Sequence, residues 1–213
     1  MEQLNLNNVT LLCVDDLNIN GSIGLFSFIL GQIKFGDAIL FSSKEPISPT
    51  GNPPFLRKCD PINSIFDYNK FLIKEAHKYI NTTHVMIVQR DGYPVNLKAW
   101  TDTFLLFDYI GASWANGLVG NGGFSLRSKR LLVEASKHEG LDFNTPEDTL
   151  ICHSSFLRSR LLRTGMKFAP CGLANLFSIE NGRWNGQFGF HGRLTCEENR
   201  DLKEFEHGCF LFD

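Results

Sequence analysis

Two apolar runs in this chain each end abruptly in acid. VTLLCV (9–14) meets Asp15 and Asp16, and HVMIV (84–88) meets Gln89, Arg90, Asp91 and Gly92. Runs of this length, unbroken by polar alternation, fit strands buried on both faces. Charged residues cannot follow such a strand into the core, so the chain must leave the sheet there. Between the runs, INGSIGLFSFILGQIK (19–34) has helical spacing with Asn20 or Ser22 as caps, and AILF (38–41) is a short strand. The stretch 42–61, rich in Pro, Ser and Gly, is a long surface loop. FDYNKFLIKEAHKYI (66–80) is an amphipathic helix with Phe66, Phe71, Leu72, Ala76 and Tyr79 on one face. Strand, helix, strand, helix, strand predicts an α/β fold: a mostly parallel central sheet flanked by helices on both faces.

Beyond Gly92 the pattern loosens. Strands are expected at 109–112, 123–126, 166–169 and 177–180, and helices at 128–138 and 146–163. Thr145 would cap the second helix, with Pro146 in its first turn. The Gly-rich stretch from Asn181 reads as irregular. With no repeat and no linker, residues 1–213 form a single domain.

Composition narrows the function classes. Hydrophobic residues make up 43% and charged residues 21% of the chain, and the net charge is −2. That is an ordinary globular balance and leaves no basic footprint for a nucleic acid. The six cysteines (Cys13, Cys59, Cys152, Cys171, Cys196 and Cys209) contain no C-x-x-C pair. Scattered in this way they predict reduced thiols in a reducing compartment rather than zinc. The first eight residues carry no apolar signal core, and no stretch reaches the ~20 residues of a membrane span. A cytosolic protein is expected. The end, GCFLFD (208–213), is greasy for a free tail and suggests a domain cut from a longer, multidomain chain.

Four stretches could carry chemistry. Asp15-Asp16 and Asp91 sit at strand ends, where open α/β sheets bind ligands, and carboxylates there suit Mg²⁺ or Mn²⁺. The first pair reads equally as a turn or helix cap, and Asp91-Gly92 as a plain turn. VGNGGF (119–124) permits close backbone approach to a ligand, or a tight turn. Glu147-Asp148 at a helix start is a dipole-satisfying cap, or a general base with a neighbour. His191, in FGFHG (188–192), is a packed side chain or a metal ligand.

Taken in order, VQRDGY…W…DYIGASW, VGNGGFSLRSKRLL, PEDTLIC, FAP…A…FSIE and FGFHG resemble a family of glycosyltransferases with a GT-A-type, Rossmann-like fold. That family includes domains of large viral proteins that build capsid glycans. The resemblance runs from Val9 to about Gly192. It implies a nucleotide-binding half at about 1–92, an acceptor and catalytic half at about 93–192, and nothing for the tail 193–213. It implies a UDP-linked sugar donor, a glycan acceptor and Mn²⁺ or Mg²⁺, acting in the host cytoplasm if the chain is viral. Such enzymes hold the metal on the donor diphosphate with an acid-x-acid motif; here Gln89-Arg90-Asp91 stands in its place, one acid replaced by an amide. By the same resemblance Asp91 and His191 ligate the metal. Val14, Asp15 and Asp16 border the uracil and ribose. Gly122 and Gly123 lie against donor sugar or acceptor. Asp148 is the general base, with Glu147 its alternative or the acceptor anchor. Arg57, Lys58 or Arg127 would steady the departing diphosphate.

Three rivals stay open. A retaining enzyme of the same fold would use Glu147-Asp148 to bind acceptor. A nucleotidyltransferase would want a basic Gly-rich loop after the first strand, but DDLNINGSIG (15–24) has no Lys or Arg. A non-catalytic sugar-binding module would use exposed aromatics.

Overall fold

The computed structural model describes residues 3–47 and 52–205. Its first half runs β1 (Leu4–Val14), α1 (Ile19–Gln32), β2 (Ile33–Ser42), β3 (Leu56–Lys58), α2 (Ile65–Lys70) and β4 (His84–Ile87). β1 pairs in parallel with β2 on one side and β4 on the other, and β3 pairs in parallel with β2. The apolar run of β1 is explained by its two covers. Leu11 and Cys13 join Leu25, Phe26 and Ile29 of α1, whereas Leu12 and Val14 join Leu72, Ala76 and Ile80 on the opposite face. β4 divides in the same way, Met86 and Val88 to the first cover and Val85 and Ile87 to the second.

The second half adds β5 (Gly92–Pro94), β6 (Tyr109–Ile110), β7 (Ser125–Ser128), α3 (Lys129–Ser136), α4 (Glu147–Cys152), α5 (Leu157–Arg163), α6 (Cys171–Phe177), β8 (Ser178–Glu180), β9 (Gly189–His191) and α7 (Arg193–Glu198). The main sheet has six strands in the order β3-β2-β1-β4-β7-β6, with β7 antiparallel to both neighbours. A smaller sheet, β5-β9-β8, stands beside it. The chain is thus an α/β domain with a mixed, largely parallel sheet flanked by helices.

Several local expectations shift. Asn18, not Asn20 or Ser22, caps α1, accepting from Gly21 N at 2.9 Å, because Asp15 Oδ1 first holds the Asn18 amide at 3.1 Å. α1 passes into β2 without a loop. The helix expected at 66–80 has three forms: α2, a wider π-turn over Phe71–Glu75, and a 3₁₀ turn over Ala76–Lys78. Ser64 and Asp67 cap it reciprocally. The helix expected at 146–163 is two. Ser154 starts α5 by accepting from Leu157 N at 3.1 Å, and Thr145 is not a cap, since Pro146 takes that position. The strand at 166–169 is a single bridge from Phe168 to Tyr109. The stretch from Asn181 is not irregular throughout: β9 and α7 lie there. A three-residue strand among glycines has no periodicity to betray it, and its partners come from elsewhere in the chain. Cys13 and Cys152 are buried free thiols and Cys59 and Cys171 partly buried ones, but Cys196 is disulfide-bonded. The expectation of reduced thiols fails there, because scattered spacing carries no information about which side chains meet. Cys209, the greasy end 208–213 and residues 48–51 of the loop lie outside the described residues. Among the described residues no helix is long and apolar enough to cross a membrane.

β1 and β2 slip register between Leu6 and Thr10, and a Cβ on Gly36 would lie 2.0 Å from Asn7 O in that irregularity. Gly36→Ala should therefore lose about 1–3 kcal/mol of stability in urea unfolding. Gly31→Ala, in α1 with nothing within 4 Å of the new carbon, should gain roughly 0.5 kcal/mol.

Candidate functional site

In the order β3-β2-β1-β4 the sheet grows outward from β1 first to one side and then to the other, and open sheets bind ligands beyond the carboxyl ends of strands at such a switch point. A cleft of ≈ 640 Å³ lies there. Its walls come from the end of β1 (Cys13 to Leu17), the entry to α2 (Ile62 to Ile65, and Tyr68), the turn after β4 (Gln89 to Asp91) and Arg193 of α7.

The two acids after β1 face inward to the protein. Asp15 Oδ1 accepts from Leu17 N at 2.7 Å, and its Oδ2 from Ser22 Oγ at 2.5 Å and Arg90 Nε at 3.0 Å. Asp16 accepts from Ser42 Oγ, Ser43 N, Ser43 Oγ and Ile62 N at 2.6–2.8 Å. Burial alone would raise the Asp16 pKa, but the bonds from Ser43, Ile62 and Ser42 outweigh it and hold it below the usual carboxylate value. Both residues border the cleft, yet their oxygens build its wall rather than wait for an ion. Cys13 also lines the cleft, and burial pushes its thiol far above the ordinary range, so it is no nucleophile.

The turn after β4 behaves differently. Gln89 and Gly92 exchange backbone hydrogen bonds at 2.9 Å in both directions, closing a tight turn that carries Arg90 and Asp91 into the cleft. Gly92 then opens β5, opposite His191 of β9. This register brings His191 Nε2 to 3.7 Å from Asp91 Oδ1 and 3.2 Å from Gln89 Oε1. Gln89 in turn donates to Tyr68 Oη at 2.8 Å. A Cβ on Gly123 would fall 2.0 Å from His191 Nε2 and 2.6 Å from Gln89 Oε1, so only glycine lets the backbone pass.

Among the described residues no group of three His, Cys, Asp or Glu could hold a metal ion by itself. Asp91 and His191 offer two donor atoms at 3.7 Å, a span that two ligands roughly 2.1 Å from one small ion can bridge. Mg²⁺ and Mn²⁺ commonly take one or two protein ligands and complete their shell with phosphate oxygens and water. The donor set fits such an ion once a phosphate is present.

On the far side of the same glycine pair, Asp148 Oδ2 accepts from Gly122 N at 2.9 Å, and Oδ1 from Thr149 N at 2.7 Å. Asp148 is half-buried and, like Gly122, does not line the cleft. Glu147 has another fate. It is buried, and both of its oxygens lie on Arg127, at 2.6 and 2.8 Å. Burial pushes its carboxyl up, against the pull of Arg127. Glu147 is therefore a fold-holding residue and not a base, and Arg127, with no exposed side-chain surface, cannot reach a diphosphate. Arg57 is likewise not in the cleft: it is exposed on β3 and donates to Pro54 O and Leu56 O. Lys58 pairs with Glu45.

Two residues escaped the sequence reading. Arg193, the first residue of α7, also lines the cleft, its Nε donating to Glu197 Oε1 at 2.9 Å and most of its side chain exposed. The signal was its place two residues after His191. Glu180 of β8 lies behind His191, with Oε1 3.6 Å from Nδ1. His191 first, then Trp114, hold Glu180 below the usual carboxylate range against the effect of burial. Nothing in the spacing from 180 to 191 announces that contact; it follows from parallel pairing of β8 with β9.

Fold and site together define an α/β protein whose cleft, at the switch point of its sheet, is lined by Asp15, Asp16, Asp91, Arg90 and Arg193, with the His191 imidazole against Gln89 and Asp91 at its edge. Residues 55–191, more than half of the chain, match the family described as Protein of unknown function (DUF5672), and the chain belongs to that family. No curated protein matches the chain. The matched stretch holds Gln89, Asp91, Gly122, Gly123, Asp148, Glu180 and His191; the end of β1 and Arg193 fall outside it.

Glu147→Ala would leave Arg127 charged and unpartnered in the interior. It should cost about 3–5 kcal/mol in urea unfolding, the penalty for breaking a buried pair from one side. A mutant of wild-type stability would return Glu147 to the list of candidate bases.

Proposed function

We propose that this chain is a glycosyltransferase with a GT-A-type arrangement, moving a sugar from a nucleotide-sugar donor, UDP-linked by resemblance, to a hydroxyl of a glycan acceptor with Mn²⁺ or Mg²⁺. One observation carries the reading. Gln89 and Asp91 of the turn after β4 meet the distant His191, Gln89 and His191 lie against Gly123, and Asp148 accepts from the adjacent Gly122.

As the bond from the sugar to the diphosphate breaks, negative charge builds on the departing phosphate oxygens. Arg90 and Arg193 line the cleft where that charge would lie, and fixed donors of this kind favour the transition state over the ground state. Asp15 holds the Arg90 Nε, which aims the rest of that guanidinium. A divalent ion held by Asp91 and His191 would supply Lewis-acid stabilisation of the same oxygens. Asp148, anchored by two backbone amides, would accept the proton of the attacking hydroxyl. The apolar side chains of Val14, Ile62 and Ile65 would flank the base.

A retaining reaction on the same fold is the second reading, favoured by one fact: both Asp148 oxygens already accept backbone hydrogen bonds, which suits a residue that shapes the loop and binds acceptor.

UDP at a hundred times its dissociation constant should stabilise the protein by about 2.7 kcal/mol, and only with Mn²⁺ present. Asp91→Ala should abolish the metal-linked part of that shift; an unchanged calorimetric affinity with Mn²⁺ would refute the metal role. Asp148→Asn should keep UDP binding and lose roughly 10²–10⁴-fold in transfer. The anomeric configuration of the product, read by NMR, separates inverting from retaining transfer. Glycan binding that ignores nucleotide would point to a sugar-binding module instead.

A further inference from the structure

A neutral imidazole carries its proton on one nitrogen and a lone pair on the other, and the partner of one nitrogen sets the state of both. His191 has acceptors on each side. Nε2 faces Gln89 Oε1 at 3.2 Å and Asp91 Oδ1 at 3.7 Å, while Nδ1 faces Glu180 Oε1 at 3.6 Å. Nδ1 is sealed from solvent and has no formed hydrogen bond. A lone pair turned toward a carboxylate oxygen away from water is repelled, whereas an N–H in the same place is attracted.

Three partners compete and differ in what they can tolerate; Asp91, on the Nε2 side, is the longer contact and the more exposed of the two carboxylates. Gln89 carries both a carbonyl and an amino group, and a half-turn of its amide exchanges them. Turned, its carbonyl would accept from the Tyr68 hydroxyl and its amino group would face Nε2. Gln89 therefore suits either form of the ring. Glu180 has acceptors only. It is also held in place: Oε2 accepts from Trp114 Nε1 at 3.0 Å, and Trp114 is packed on the His153 ring at 4.1 Å. Gly120 makes room for that indole, since a Cβ there would lie 2.4 Å from it. The parallel register then fixes Glu180 beside His191.

We infer that Glu180 is a positioning residue that keeps the His191 proton on Nδ1 and so presents the Nε2 lone pair toward Asp91. The inference deepens the proposed function, and rests on it where it makes Nε2 a metal ligand. A carboxylate behind a ligating imidazole orients the ring and raises its basicity. Trp114 and Gly120 belong to the same support, one residue further from the cleft.

The test starts from the wild-type protein with ¹⁵N-labelled histidine at pH 8, in a long-range ¹H–¹⁵N correlation spectrum, with His191 assigned by its absence in His191→Asn. The expected pattern is the Nδ1–H form. Glu180→Ala should move His191 to the Nε2–H form, donating to Gln89, and Glu180→Gln, which keeps an acceptor oxygen, should restore Nδ1–H. In a Mn²⁺ titration with UDP present, Glu180→Ala should weaken metal binding by about 10- to 100-fold, and Glu180→Gln by less than about 10-fold. A wild-type His191 in the Nε2–H form overturns the inference whatever the variants do, and so does a folded Glu180→Ala protein whose His191 is unchanged. A wild-type protein that shows Nδ1–H and yet binds no Mn²⁺ with UDP sinks the glycosyltransferase reading and leaves the Glu180 assignment standing.

Discussion

The buried contact between Arg127 and Glu147 sets the terms for the rest of the molecule. Two ions taken out of water must satisfy each other and their remaining hydrogen-bonding capacity, or the site costs more than it returns. Here the accounts are complete. Arg127 donates to both Glu147 oxygens, to Ser125 Oγ and to Gly122 O, and lies over the Tyr109 ring at 4.9 Å. Glu147 N donates to Asn69 Oδ1. One pair thus ties β7, the start of α4, the helix opened by α2 and the glycine loop together. It explains why Gly122 must be glycine, since a Cβ there would strike Glu147 Oε1 at 2.0 Å. With Gly122 fixed, Gly123 is carried against His191 on one side and Asp148 is carried to the loop on the other.

The cleft handles its own charge in a related way. Acids this close together would repel one another unless their charge were met by nearby donors. Asp15 and Asp16 spend theirs on backbone amides, serines and Arg90. Arg90 and Arg193 line the cavity together with Asp15, Asp16 and Asp91, and both are held by acids, Arg90 by Asp15 at 3.0 Å and Arg193 by Glu197 at 2.9 Å.

Much of the sheet was legible in the sequence because β1 and β4 are covered on both faces, and burial of that kind writes itself as an unbroken apolar run. The place of Asp91 was legible for the same reason: the run stops where the core stops. The roles of Glu147 and Asp148 were not. Neighbours at a helix start differ by roughly 100° in direction, and sequence does not say which one turns inward. Glu147 turns inward to Arg127, Asp148 to the loop. Arg57 was misplaced because a cation near a sheet looks the same whether it lies at the carboxyl end or on the outer edge. Glu180 and Arg193 were missed because their value comes from the register of a three-residue strand and from the first residue of a six-residue helix, both too short for any periodic signal.

The bond between Gln89 and His191 joins residues 102 positions apart. The strands β1, β2 and β4 can pair while the chain is still short, since they need only the first part of the polypeptide. Closing the wall that holds His191 must wait until β9 exists and finds β5. Synthesis from the N-terminal side therefore lets β1, β2 and β4 pair before β9 emerges to close the wall at His191. Partly made chains would carry the end of β1 without the imidazole of β9, so the approach of Asp91 to His191 forms only after β9 has joined the fold.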